Sequence, residues 1–324
     1  MNIGLTVATI GARGNEYFIQ GSVQSALTFP RRVKIAVGLS HFVCHNTMKL
    51  ISSLFLLTLL SACSVSNLPG NLSRSMMNQD DPTVVAAGAP AYLLLLDALV
   101  LTYPDDEGFL LAGAKLYGAY AGVFAQDEEQ ARLMADKAMN YARRALCEYD
   151  DDLCAKTDGP LDELTTALAE DYDNDDVPVV YAFAAAWAGW IQANSGDWNA
   201  IAQVGKVKAM MAWVASYQPD YDNATVQVYL GVLETQLPPS LGGKPEIGRR
   251  HFEQALEYTE DRHLMAKVLF AKQYARLMFN QELHDRLLQQ ALDADPRVEG
   301  LTLINRLAQR QAGQLLAESS DYFE

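Results

Sequence analysis

His251-Phe-Glu-Gln-Ala-Leu256 and, 36 residues further on, Leu288-Gln-Gln-Ala-Leu292 share one pattern. A large apolar residue (Phe252, Leu288) is followed three places later by an alanine (Ala255, Ala291) and then by a leucine. Residues three and four apart lie on one face of a helix, so each segment presents a large and a small side chain to a neighbour. The second copy runs on to Pro296, where a helix must stop. Working outward, Ala, Leu, Gln, Glu and Met dominate from Pro90 onward and β-branched alternation is nearly absent. The pattern predicts helices over 90–102, 106–125, 127–148, 160–171, 178–194, 198–217, 223–236, 245–259, 262–279, 281–293 and 299–318. Asp105-Asp106-Glu107, Asp127-Glu128-Glu129 and Asp197 precede helix starts, where acids cap free N–H groups and complement the helix dipole. Pro104, Pro160, Pro178, Pro219, Pro245 and Pro296 fall at the breaks.

Paired helices of ~12–20 residues with short turns match a tetratricopeptide-like unit of ~34 residues. Aligning the unit's terminal proline to Pro296 puts Ala291 at its small second-helix position and Leu288 at its large one. The predicted fold is therefore all-α over residues 89–324, a degenerate TPR-like array of helical hairpins forming an α–α superhelix. A plain helical bundle is the alternative.

The N-terminal region reads differently. Met48-Lys49 opens a basic segment, and Leu50 to Leu60 is apolar apart from Ser52, Ser53 and Thr58. Leu60-Ser61-Ala62-Cys63 then places small residues before a cysteine. This is the layout of a signal peptide, over 48–62, and the final four residues resemble the bacterial lipobox, with Cys63 as the lipidated residue. Two acyl chains give stable anchoring, whereas a helix of this length is too short to span. Residues 1–47, with Arg31-Arg32 and the apolar stretch Val33–Val43, read as a spurious upstream extension from a misplaced start, or else as a transit-like segment. Residues 63–88, polar and punctuated by Pro69, Gly70 and Pro82, read as the lipidated N-terminus and a flexible tether of ~25–30 Å root-mean-square span.

Five of the 25 Lys/Arg and one of the 40 Asp/Glu precede Cys63, so the formal charge of −15 becomes −19 for the part after it. Such a polyanion is repelled by nucleic acid and by anionic lipid, leaving membrane contact through the anchor only. Three histidines follow Cys63, namely His251, His263 and His284, and none stands at metal-ligand spacing with another. They read as surface or capping residues, and neither a metal nor a cofactor is expected. The acidic runs 150–152 and 170–176 lack the spacing of a calcium loop. Cys147 and Cys154 flank an acidic turn and read as a structural disulfide, since such bonds persist in an oxidising compartment. No nucleophile elbow, phosphate loop or paired-carboxylate motif is visible, so no enzymatic activity is expected.

Aromatic residues recur at helical intervals: Tyr117, Tyr120 and Phe124, then Phe183, Trp187 and Trp190, then Trp213 and Tyr217. Glycines and alanines interleave them. The stripes serve either as core or as the lining of an apolar groove on the concave face of the array. The candidate groove set is Tyr117, Tyr120, Trp187, Trp190, Lys267, Tyr274 and Asn305. Lys267 and Asn305 join it because they interrupt apolar helix sequence, where a polar group needs a partner. Pro238, Pro239, Gly242 and Gly243 form an inter-helix segment of specified shape and are the candidate docking loop.

Taken together, Tyr229-Leu-Gly231-Val-Leu-Glu-Thr-Gln-Leu-Pro-Pro-Ser-Leu-Gly-Gly-Lys-Pro-Glu246 and His251–Leu256 resemble the T component of TRAP transporters. So do His263–Arg276, Leu303-Ile-Asn305 and the terminal Asp321-Tyr-Phe323, while Pro90 to Phe124 resembles the family's first repeat. The resemblance implies a periplasmic TPR-like lipoprotein that works with the solute-binding P subunit of a TRAP importer and binds a hydrophobic or organic-acid ligand. Ser64, where Asp would signal inner-membrane retention, favours the outer membrane. A homo-oligomer is compatible with this reading. Two rivals stand beside it. An outer-membrane assembly lipoprotein would bind extended peptide segments, and a lipid-anchored envelope hydrolase would need convergent acids or a Ser/His pair that the sequence does not display.

Overall fold

Acidic caps decide where the helices begin. In the computed structural model, which describes residues 68–236, 239 and 243–324, Asp81, Asp106, Asp127, Asp150 and Asp197 each accept a backbone N–H from the first turn that follows. Asn280 does the same for a later helix. Each such cap is worth about 1 kcal/mol, so part of the chain's excess of acid is structural.

In order, the helices are α1 (Leu68–Met77), α2 (Pro82–Thr102), α3 (Glu107–Val123), α4 (Glu128–Tyr149), α5 (Asp151–Asp158) and α6 (Leu161–Glu170). A single 3-10 turn, Asn174–Asp176, leads into α7 (Val177–Ala193). There follow α8 (Trp198–Ile201), α9 (Val204–Tyr217), α10 (Tyr221–Thr235) and α11 (Pro245–Tyr258). Then come α12 (Leu264–Leu269), which widens into a π-helical segment (Phe270–Ala275), α13 (Gln281–Asp293), α14 (Thr302–Ala317) and α15 (Ser319–Phe323). No strand occurs among the described residues, and the all-α class stands.

Three predicted boundaries need correction. The stretch read as a tether is helical from Leu68 onward. Asp81 caps α2 and Pro82 occupies its first turn, where a missing N–H costs least. Pro90 therefore lies inside α2 instead of starting it, on the exposed side of the helix. The turn between α1 and α2 is fastened down as well. Asp80 pairs with Arg297 at 2.9 Å and Arg306 at 2.7 Å, and the Gly300 N–H donates to Asn78 Oδ1 at 2.7 Å. Finally, the predicted helix over 198–217 is broken between Ile201 and Val204, and α5 was not anticipated. Cys63 and residues 1–62 lie outside the described residues.

Two apolar clusters build the interior. The first gathers α2 to α7 and α9, centred on Phe183, Leu110, Leu146, Met210 and Met211. The second gathers α11 to α14 around Phe252, Leu264 and Leu288. Helix α10 belongs to both: Val226 and Leu230 face the first cluster, Ala224 and Val228 the second. Its approach to α11 is very close. A Cβ at Gly248 would lie 2.5 Å from Thr235 Cγ2 and 2.9 Å from the Gly231 carbonyl, and one at Gly231 would lie 2.8 Å from the Phe252 ring. The two glycines let one helix backbone rest on the other.

Polar bonds fasten the outer helices. Asp97 on α2 accepts Lys137 Nζ at 2.5 Å and the hydroxyls of Tyr117 at 2.8 Å and Tyr141 at 2.7 Å. Burial pushes its carboxyl up, but these three bonds outweigh that and hold it below the usual range, while burial and Asp97 push Tyr141 up to about 12. Cys147 and Cys154 are joined by a disulfide across the α4–α5 corner, with Cα atoms 4.9 Å apart. Closing so short a loop contributes about 2 kcal/mol. At the other end Phe323 of α15 packs edge-on to Phe279 at 5.4 Å and His284 at 5.2 Å, closing the last hairpin.

Gly248→Ala is expected to destabilise the protein by about 1–3 kcal/mol through overpacking, lowering Tm by about 2–4 °C per kcal/mol. Gly88→Ala, whose added methyl meets nothing within 4 Å, should leave Tm unchanged or raise it. Thermal unfolding followed by circular dichroism compares the two, and equal Tm values would show that the α10–α11 contact is looser than described.

Candidate functional site

The backbone is most unusual at one place. Asp222, Asn223 and Ala224, at the entry to α10, are three consecutive residues in the left-handed region, with φ of 53°, 54° and 59°. L-residues pay about 1–2 kcal/mol each for that conformation, so something must hold it. The Tyr181 hydroxyl donates to Asp222 Oδ2 at 2.7 Å, Thr225 Oγ1 donates to the Asp222 carbonyl at 2.6 Å, and Ala224 N–H donates to the Asp220 carbonyl at 2.8 Å. Ala224 is buried in the second cluster while Asp222 and Asn223 face solvent.

Two further loops meet this turn. Glu260 and Asp261, after α11, are also left-handed. His263 caps α12, its Nδ1 accepting the Ala266 N–H at 3.2 Å and its Nε2 lying 3.4 Å from Thr225 Oγ1. Burial lowers its pKa to about 4, so the ring is neutral and free to accept. Gly300, with φ of 77°, approaches Asn223 so that a Cβ there would sit 3.6 Å from Asn223 Nδ2. The starts of α10, α12 and α14, together with the α1–α2 turn bound to the loop before α14, thus compose one polar end of the array.

The predicted residues Lys267 and Asn305 belong to this end, as its internal fasteners. Asn305 is fully buried and saturated: Oδ1 accepts the Leu264 N–H at 2.9 Å, and Nδ2 donates to the Arg262 carbonyl at 2.9 Å and the Pro296 carbonyl at 3.3 Å. Lys267 is buried and its ammonium bonds Asp261 Oδ1 at 2.5 Å. Both have partners within the fold, and the two amide donors of Asn305 are both taken by backbone carbonyls. The sequence showed that these polar groups needed partners, and not that backbone carbonyls and a loop acid would supply them.

The aromatic candidates are distributed elsewhere. Tyr117, Tyr120 and Trp187 are buried in the first cluster, with Tyr117 committed to Asp97. Tyr274 is buried in the second and donates to Glu246 Oε1 at 2.7 Å. These four pack as core and do not line an open groove. Trp190 alone of the set is partly exposed, and its Nε1 donates to Asp136 Oδ1 at 2.7 Å. Of the candidate docking loop, Pro239 is exposed and Gly243 partly so, while Pro238 and Gly242 lie outside the described residues. His284, read as a surface or capping residue, is instead wholly buried, its Nδ1 2.8 Å from Asp285 Oδ1 and its Nε2 accepting Arg276 Nε at 3.3 Å. Among the described residues no group of three or more His, Cys, Asp or Glu is placed to hold a metal ion.

Residues that sequence reasoning missed are Asp222, Asn223 and Tyr181 of the left-handed turn and the Asn78–Asp80 clasp. Asp222-Asn223 is a pair that tolerates this conformation, which was the one available signal. For His263 the pKa shift sets a pH dependence. The unfolded ring titrates near 6.5 and the folded one near 4, so the unfolded chain binds more protons between those values. Stability is therefore full above about pH 6.5 and falls by up to roughly 3 kcal/mol as pH drops toward 4. His263→Asn, which keeps a capping acceptor, should flatten that slope in urea titrations at pH 7 and pH 4.5. An undiminished slope would place the titration elsewhere.

No curated protein sequence matches the chain. A family model described as TRAP transporter T-component matches residues 78–323, which takes in every described helix from α2 to α15. An all-α array with the Asp222–Ala224 turn, the Asn305 clamp and the terminal Tyr322-Phe323 cap all inside that match is therefore a member of the TRAP transporter T-component family.

Proposed function

We propose that the chain is a lipid-anchored, periplasmic accessory subunit of a TRAP-type solute importer, and that it works by binding the solute-binding P subunit. Membership of the T-component family supports an accessory role in such a transporter. The observation that carries the rest is Leu60-Ser61-Ala62-Cys63, which ends five residues ahead of Leu68, the first residue of α1. An acylated Cys63 would then join the lipid to the folded array by a very short connection. Ser64 favours the outer membrane as its location.

In this reading the protein makes contacts and turns nothing over. Its polar end and the loop carrying Pro238, Pro239, Gly242 and Gly243 are the surfaces offered to the P subunit, and Trp190 is the remaining aromatic on offer to a ligand. A stack of hairpins suits such work, because its extended surface is set by the repeat geometry and does not depend on one closed pocket.

Two measurements test the proposal. Intact mass spectrometry of the protein from its native envelope should find a chain that begins at Cys63 and carries fatty acyl groups. A pull-down from the same envelope should recover a solute-binding protein, and Cys63→Ser should move the complex to the soluble periplasmic fraction without dissolving it. An unmodified polypeptide beginning at Met1 would overturn the anchor. Recovery of barrel-assembly proteins with no solute-binding protein would overturn the partner.

A further inference from the structure

Helix α2 shows a face that its own fold does not cover. Its inner stripe is Val85, Ala89, Leu93 and Val100, all buried against the array. On the opposite side Val84, Leu94, Leu95 and Leu101 are exposed to 54%, 70%, 52% and 84%. Ala87, Ala91 and Ala98 fill the spaces between them and are exposed as well. These positions follow the three- and four-residue spacing of one helical face, so the exposure is a continuous stripe and not scattered side chains. A stripe of this kind on a soluble surface marks a contact.

We propose that the outer stripe of α2 lies against the phospholipid surface that holds Cys63, so that the array is docked on the membrane as well as tethered to it. The inference rests on the acylation of Cys63. Three observations select a lipid surface over another protein. The first is charge. The part of the chain after Cys63 carries −19, yet α2 contains one charged residue, Asp97, and that points inward to Lys137, Tyr117 and Tyr141. The stripe is thus a neutral, apolar window in an acidic surface, the one part of α2's surroundings that a membrane would not repel.

The second is reach. Four residues lie between Cys63 and Leu68, and the five steps of a fully extended chain cover at most ~18 Å. The ten residues of α1 add ~15 Å, and the fastened turn at Asn78–Asp80 leads directly into α2. An acylated Cys63 therefore keeps the start of α2 within a few tens of ångströms of the bilayer. The third is size. A stripe ~31 Å long and ~10 Å wide offers roughly 300 Å², well below the ~800 Å² per partner of a stable protein interface. For a surface already held at high effective concentration by an anchor, so small a contact is enough. The two clasps on α2, Asp80 with Arg297 and Arg306 at its start and Asp97 near its end, make it rigid with the array. Docking the stripe accordingly fixes the direction in which the rest of the array faces.

The test uses the full chain, acylated and placed in vesicles of phosphatidylethanolamine and phosphatidylglycerol. With Cys63 acylated and Cys147–Cys154 bonded, Leu94→Cys, Leu101→Cys or, as a control far from α2, Glu282→Cys each adds one free thiol for a polarity-sensitive fluorophore. All three positions are exposed, so folding should be unaffected, and thermal unfolding checks it. Labels at 94 and 101 should shift to the blue on vesicles and be quenched by bromine-labelled acyl chains several-fold more than the label at 282. Equal quenching at all three positions overturns the docking. A blue shift at 94 that needs no vesicles and grows with protein concentration also overturns it, in favour of self-association. The intact mass of the same sample separates the two levels. An unmodified Cys63 refutes the anchor, while Leu94→Cys in a Cys44→Ser, Cys63→Ser background, unanchored and added to vesicles, still reports whether the stripe itself meets lipid.

Discussion

Helix α10 is buried on two sides, and the architecture follows from that constraint. Val226 and Leu230 belong to one apolar cluster, Ala224 and Val228 to the other. A helix packed on two sides cannot shift against one neighbour without opening a gap against the other, and interiors packed at crystal-like density resist such gaps. The glycine contact between Gly231 and Gly248 sets its distance from α11, and the left-handed turn at Asp222–Ala224 sets the point where it enters. Strain in that turn is offset by Tyr181 on one side and by the burial of Ala224 on the other. The two halves of the array are therefore joined through one element that belongs equally to both.

Buried polar groups in this protein serve shape. Asn305 ties two loops, those before α12 and before α14, to one side chain, Lys267 answers a loop acid, His263 caps a helix as a neutral ring, and His284 sits between Asp285 and Arg276. A buried donor left unbonded costs about 1–3 kcal/mol, so each of these constrains the backbone it contacts and makes the alternative loop conformations expensive. In an all-α fold this matters most at the ends of helices, where carbonyls and N–H groups run out of partners. The polar end of the array is the place where several such ends coincide.

The N-terminal strap adds a second layer to the same logic. Without Asp80 and Asn78, the first two helices would hold to the body chiefly through the inner stripe of α2 and the Asp97 cluster. With them, the start of the described chain is fixed to the loop before α14, more than two hundred residues away in sequence. A helix held at both ends and apolar on its free side is a rigid platform.

Much of the architecture was legible in the residues alone. Acid caps, prolines at breaks and the repeated Phe252/Ala255 and Leu288/Ala291 spacing determined the helical class and nearly every helix from α3 to α14, because caps and helical periodicity are local properties. What the sequence could not settle was the side of each helix that would be covered. The stripe Tyr117, Tyr120, Trp187 looked equally fit for a core or a groove, since burial depends on neighbours distant in the chain. Residues 68–88 looked like a tether because Pro, Gly and Ser suggest one. Only the tertiary structure brings Arg297, Arg306 and Gly300 to Asn78 and Asp80, and long-range charge pairing leaves no period to read.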